Sequence, residues 1–217
     1  YNNNYWKDNI DSWNQLFVTA PIHIVLPKKF SFDLQPYLES GRGWNGYPYG
    51  NANAGDYNYQ NGSPVSDGQA LTSYYMQNYS NQVGVTARLG YDFDRHNHAE
   101  IGYWYEKNSS QTLFPITATL PGGGNANPNN PNYALYNADT SRAYDGPIED
   151  AGYELHAIFL QDSAKYLRDK LKIIGGFKYI MINYWQSGSD GSGTGANNKT
   201  PLPHLAISYD IDEHSQI

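Results

Sequence analysis

The side chains most able to do chemistry in this sequence would do it by binding. Trp44, Tyr47, Tyr49, Tyr57 and Tyr59 crowd one short stretch with Asn51, Asn53 and Asn58. Aromatic faces and amides at that density can grip a sugar or another small organic ligand, although the same residues also build surface loops that fold on themselves. Arg88 and Trp104 occupy the polar phase of two alternating stretches, with Asp92, Glu100 and Glu106, and Glu154 and His156 are read the same way. Such groups could guide a ligand along a wet surface. His96 and His98 share one short turn and His214 lies in another. An i, i+2 histidine pair in an exposed turn lacks the third ligand and supporting hydrogen bonds that a metal site needs, so no metal is expected. Asp190-Gly191-Ser192-Gly193 does not meet the spacing of a calcium loop. For catalysis, G-x-S-x-G, H-E-x-x-H and P-loop patterns are all missing. Ser163 and Ser208, near His156 and His204, are the faint candidates for a nucleophile and its base. The expectation is a binding protein with no cofactor, not an enzyme.

These side chains must be positioned by strands. From Asn81 to Phe93, Val83, Val85, Ala87, Leu89, Tyr91 and Phe93 alternate with Gln82, Gly84, Thr86, Arg88, Gly90 and Asp92. Successive strand residues point to opposite faces, so one face is apolar and the other polar. After the turn Arg95-His96-Asn97-His98 the alternation resumes through Ala99, Ile101, Tyr103 and Tyr105, which puts Trp104 on the polar face. Strands of soluble proteins run about 5–6 residues. A tilted strand crossing a bilayer needs roughly 9–11. The same plan predicts seven long strands, near 14–26, 30–40, 81–93, 99–106, 151–165, 170–185 and 201–211. Short turns alternate with long connections at about 42–79, 110–150 and 187–200, the second holding Gly122-Gly123-Gly124 and Pro128-Asn129-Asn130-Pro131. That is the up-and-down plan of an outer-membrane β-barrel, with short periplasmic turns and long extracellular loops. Tyr103-Trp104-Tyr105 and Tyr184-Trp185 fall where an interfacial aromatic girdle is expected.

Composition agrees. The chain of 217 residues carries a net charge of −7, which excludes nucleic acid as a partner. It has no cysteine, and so no disulfide framework or thiolate chemistry. Its 21 tyrosines and 21 glycines suit strands and interfaces. A mean hydropathy of −0.70 fits a barrel with a polar lumen, because every second strand residue alone meets lipid. An odd strand count, with the two ends on opposite sides, predicts a section cut from a larger barrel with sequence missing on both flanks.

The segment Phe159-Leu160-Gln161-Asp162-Ser163, its turn, and Leu171-Lys172-Ile173-Ile174-Gly175-Gly176-Phe177-Lys178-Tyr179 resemble the barrel of TonB-dependent outer-membrane receptors. In that family F-x-Q-D leads into a periplasmic turn and then L-x-L-x-x-G-x-R-Y-[DE]. Here Lys178 stands in place of Arg, and Ile180 in place of the acidic residue. Pro203-His204-Leu205-Ala206-Ile207-Ser208-Tyr209 matches the next strand's Pro-x-x-[GA]-[LIV]-[ST]-Y. The resemblance implies a transmembrane antiparallel barrel of 22 strands, of which this chain supplies about seven. It also implies a plug domain and a TonB box not found in these residues. The implied activity is uptake of a scarce ligand, usually a ferric siderophore, with outer-membrane lipid and the TonB complex as partners. A passive porin-type channel and an adhesin or structural barrel stay open as alternatives.

Overall fold

The computed structural model describes residues 10–119, 135–138, 148–188, 191–211 and 217. Among them are eleven strands: β1 (Ile10–Thr19), β2 (Ile22–Leu26), β3 (Phe30–Asn51), β4 (Tyr57–Asn58), β5 (Ala70–Asp92), β6 (Asn97–Leu113), β7 (Ile116–Ala118), β8 (Tyr136–Asn137), β9 (Glu149–Tyr166), β10 (Leu171–Gly188) and β11 (Gly193–Tyr209). The main sheet runs β1-β3-β5-β6-β9-β10-β11, every pairing antiparallel. Each of these seven strands pairs with the next of them in sequence, the up-and-down order expected, while β7 pairs with β5 and β4 with β8. The sheet is not closed, and β1 and β11 are its edges.

β1 and β2 act as one strand. Thr19 lies opposite Tyr37 and Ile22 opposite Leu34, so the register on β3 continues across the gap. Pro21 interrupts the ladder because it has no N–H to donate. With β2 and the short β4, β7 and β8 set aside, seven long strands remain, as the alternation predicts.

The strands outrun their expected limits. The second reaches Asn51 rather than Ser40, and the third starts at Ala70 rather than Asn81. The expected loop 42–79 therefore shrinks to positions 52–69, which hold β4. Likewise 193–200 belongs to β11 and β10 runs to Gly188, so the two strands are separated by four residues rather than by a loop across 187–200. Gly, Asn and Tyr suggest a loop by composition. Pairing on both sides overrides that preference: β1 lies along Tyr37–Gly46 and β5 along nearly all of β3. Of the expected loop 110–150, residues 120–134 and 139–147 lie outside the described residues, as do Asp190 and His214. The glycine and proline runs of that loop lie there too.

Register fixes the faces. Phe32, Leu89, Ile101 and Leu160 are partners in successive pairings, as are Phe177 with Leu160 and Leu205 with Gly175. They share the apolar face, and no second layer of described residues covers it: Leu160 is 56% exposed and Leu205 69%. A sandwich would bury such a face against another sheet. The dry core sits instead at the end away from the short turns, where Ala52, Tyr57, Val65, Leu71, Ile116 and Leu135 pack together.

The short turns are built from local hydrogen bonds. In the β5–β6 turn the Asp94 carboxylate accepts the N–H groups of His96 at 2.7 Å and Asn97 at 3.0 Å, and the Asn97 amide at 2.9 Å. The His96 N–H chiefly, then the Asn97 amide, hold the Asp94 pKa below its ordinary value. The folded turn thus binds fewer protons than the unfolded chain. Its contribution is present at neutral pH and is lost as pH falls through that lowered value. Asp94→Asn should flatten this acid limb. Amide NMR shifts of His96 and Asn97 followed during acidification would show it, and an unchanged limb would refute it.

Candidate functional site

The polar face carries a hollow in its middle. A depression of about 370 Å³ draws its walls from five strands: Asp33 and Gln35 of β3, Thr86 and Arg88 of β5, Glu100 and Trp104 of β6, Phe159 of β9 and Lys178 of β10. Strand parity places them together. Asp33 faces Arg88 across one ladder, Thr86 faces Trp104 across the next, and Phe159 neighbours Lys178. Arg88 and Trp104, the two candidates from the alternating stretches, thus share one site.

Two glycines make room for rings that lie across the strands. A Cβ at Gly102 would meet the Phe159 ring, and one at Gly84 would meet the Tyr37 ring. Tyr37 can therefore reach over β5. Its hydroxyl donates to Glu106 Oε2 and accepts the Trp104 indole N–H at 2.9 Å. Tyr153 donates to the other oxygen, Glu106 Oε1, at 2.5 Å. Glu106 is 6% exposed. A carboxylate can be buried so deeply because two tyrosines satisfy it. The network ties β3, β6 and β9 together and fixes Trp104 by its indole N–H. Lys178 Nζ stands 5.5 Å from the Trp104 ring centroid and 6.0 Å from that of Phe159, a cation held over aromatic faces.

Other side chains separate. Glu154 and His156 lie on the apolar face, correcting their reading as polar-face groups. His156 is opposite Tyr105, and Ile158 opposite Tyr103. There Tyr103 bonds to His156 Nδ1 at 2.6 Å, and Tyr105 donates to Glu154 at 3.0 Å. The parity of Ile158 and Leu160 carried this information. Ser163 and His156 are consequently on opposite faces and cannot form a nucleophile–base pair. His204 bonds Gln161 at 3.3 Å. His96 and His98 pair with Asp169 and Asp92 at 2.9 and 2.7 Å. No group of three metal-ligating side chains occurs among the described residues.

The five clustered aromatics do not make one surface. Trp44, Tyr47 and Tyr49 stand on β3, not in a loop. Trp44 packs edge-on against Tyr74 at 5.4 Å, while Tyr47 and Tyr49 have the opposite parity and are exposed. Tyr57 is buried in the distal core and Tyr59 is at its surface. Alternation along a strand divides what composition had grouped. Tyr37, Tyr153, Phe159 and Lys178 were not chosen from sequence. Tyr37 could have been, since its parity sets it among Ser31, Asp33, Gln35 and Glu39.

No family model matches the chain, and no curated protein matches it. A solved structure does. The fold is similar to part of the ferric citrate transporter FecA. The match is to its crystal structure in the unliganded form, with a TM-score of 0.57 and 16% sequence identity. It covers 94% of this chain and 26% of the FecA chain, so the chain spans about a quarter of FecA's length. At that identity FecA shows the fold alone: a long-stranded antiparallel wall of the kind that builds a β-barrel.

Proposed function

We propose that this chain is part of the wall of an outer-membrane transport barrel of the TonB-dependent kind, which takes up a scarce small ligand, foremost an iron–siderophore complex. One observation carries the reading. The apolar face extends over β2, β3, β5, β6, β9, β10 and β11 with large side chains uncovered, among them Ile24, Leu38, Leu89, Ile101, Leu160, Phe177 and Ile207. Soluble monomers rarely expose contiguous apolar patches beyond a few hundred Å². Lipid is the solvent that suits this one. The opposite face is polar and hollow, as a passage requires, and the likeness to a ferric citrate transporter supports the same use.

The bilayer level follows from the apolar face. Ala99, Ile101 and Tyr103 on β6, with Leu160 and Ile158 on β9, make an apolar band. Above it stand Tyr105, His156, Glu154 and Lys107, an interfacial pattern of tyrosine and polar groups. β3 and β5, at 22 and 23 residues, then project well past the membrane and carry Tyr47 and Tyr49 toward an arriving ligand. The protein works by binding and passage rather than catalysis. Its coupling to the TonB complex runs through a plug beyond these residues.

The test uses the full-length protein in cells. Uptake of a ferric chelate that requires the TonB complex is the expected result. Uptake that persists without that complex, with open-channel conductance, would favour a passive pore. Partner binding with neither would favour an adhesin.

A further inference from the structure

We infer that a depression on the apolar face, just past the end of its apolar band, holds the head group of a phosphorylated glycolipid of the outer leaflet. Arg42 takes the phosphate, and Asn14 and Asn78 take sugar hydroxyls. The inference goes beyond the transport reading and needs from it only that this face meets lipid. It begins with parity. Trp13 lies over Gly41 and Gly43, where a Cβ would run into its ring. Trp13 shares its parity with Phe17, which packs on Tyr37 of the polar face at 6.1 Å. Arg42, between the two glycines, therefore points to the opposite face, with Leu38 and Ser40. A bulge sets it against both Asn78 and Tyr79 of β5, while Asn14 of β1 is its partner on the other side. With Leu16 and Ser40 these residues line a depression of about 440 Å³.

Arg42 is the one charge in that lining. Asp11 and Glu39, the acids nearest along β1 and β3, have the opposite parity. Asp150 lies three strands away in the sheet and accepts the Gln111 amide at 3.1 Å. Among the described residues Arg42 has no hydrogen bond or ion pair. A guanidinium with no acid beside it suits a phosphate, which it can bind through two N–H donors. Asn78 donates an N–H to Gln111 Oε1 at 2.9 Å, which orients its carbonyl oxygen as an acceptor for a hydroxyl. Position selects a lipid. Leu16 forms one wall, and Val18, Leu38 and Val83 continue the register directly below it, all exposed. Acyl chains can run down that surface while the head stays in the depression. The depression lies beyond the band on the side away from the short turns, the extracellular side of such a barrel. Cations at that boundary attract anionic lipid heads.

The full-length protein in phosphatidylcholine nanodiscs is titrated with diphosphoryl lipid A, with phosphatidylglycerol and with soluble glucosamine 1-phosphate, and bound copies are counted by native mass spectrometry. A tight copy of lipid A is expected, with the other two bound at least about fivefold more weakly. Arg42→Gln should weaken that copy roughly fivefold or more, and Arg42→Lys should recover part of it. Asn14→Ala should weaken lipid A and leave phosphatidylglycerol unchanged, since the sugar hydroxyls alone call on the amide. The inference is overturned if no tight copy forms, or if phosphatidylglycerol binds as tightly as lipid A. Equal binding of glucosamine 1-phosphate would overturn it too, because the site would then take a free phosphosugar. So would lipid A affinity unchanged in Arg42→Gln, or unchanged in Asn14→Ala should Arg42→Gln not fold. Chelate uptake in cells tests the transport reading separately. Its absence, with lipid A still held through Arg42, leaves this inference standing, whereas intact uptake with lipid A affinity unchanged in Arg42→Gln sinks this inference alone.

Discussion

Leu89→Arg should cost the folded protein about 2–4 kcal/mol in a bilayer, while Arg88→Gln, one residue away, should cost under about 1 kcal/mol. Leu89 lies on the apolar face between Phe32 and Ile101, both part of the same uncovered surface. At that level an arginine must either lie in hydrocarbon or drag water and headgroups toward itself. Arg88 faces the polar hollow, where charge is tolerated. Reversible denaturant unfolding of the full-length protein in phospholipid vesicles gives both numbers. Equal tolerance at the two positions would mean that the apolar face does not meet lipid. A large loss at Arg88 alone would reverse the assignment of faces.

The second expectation concerns Gly84, and its sign depends on another residue. Alanine in place of glycine inside a strand ordinarily helps by about 0.5–1 kcal/mol, because the unfolded chain has less freedom to lose. Here the added Cβ would run into the Tyr37 ring. The ring end can swing away, but doing so breaks the Tyr37 bonds to Glu106 and Trp104. Glu106 then keeps Tyr153 alone as a donor in a nearly dry site. Gly84→Ala should therefore destabilise by roughly 1–3 kcal/mol. In a Tyr37→Ala background the same change should be neutral or stabilising. The coupling of about 1–3 kcal/mol is the quantity a double-mutant cycle isolates. Additive effects would show that the ring does not occupy the space above Gly84.

How much of this could be seen in the residues follows from what each argument relied on. The hairpin around Arg95 to His98 was legible because apolar and polar residues alternate on both sides of it, with Trp104 alone out of phase by type. Strand number and up-and-down order followed from the same periodicity. The extensions of β3 and β5 were not legible, because Gly43, Asn45 and Gly46 have no strand preference of their own and are held by partners on both sides. Arg88 and Trp104 could be placed on one face by parity alone. That they share a hollow with Lys178 depends on the register of β9 and β10, which no local pattern states. The aromatic cluster is divided for the complementary reason. Nearness in sequence is not nearness in space when neighbours point to opposite faces.

Sequential pairing also implies an order of assembly. The turns between β2 and β3, β5 and β6, and β9 and β10 each join strands with only a few intervening residues. Closing such short connections costs little chain entropy, and the cost grows with the logarithm of length. The β3–β5 and β6–β9 contacts must instead bring together strands separated by much longer stretches of chain. Hairpins should therefore zip from their turns first and dock side by side afterwards. Each docked hairpin buries one open edge and presents another, so the growing wall always carries a free ladder, as β1 and β11 do among the described residues.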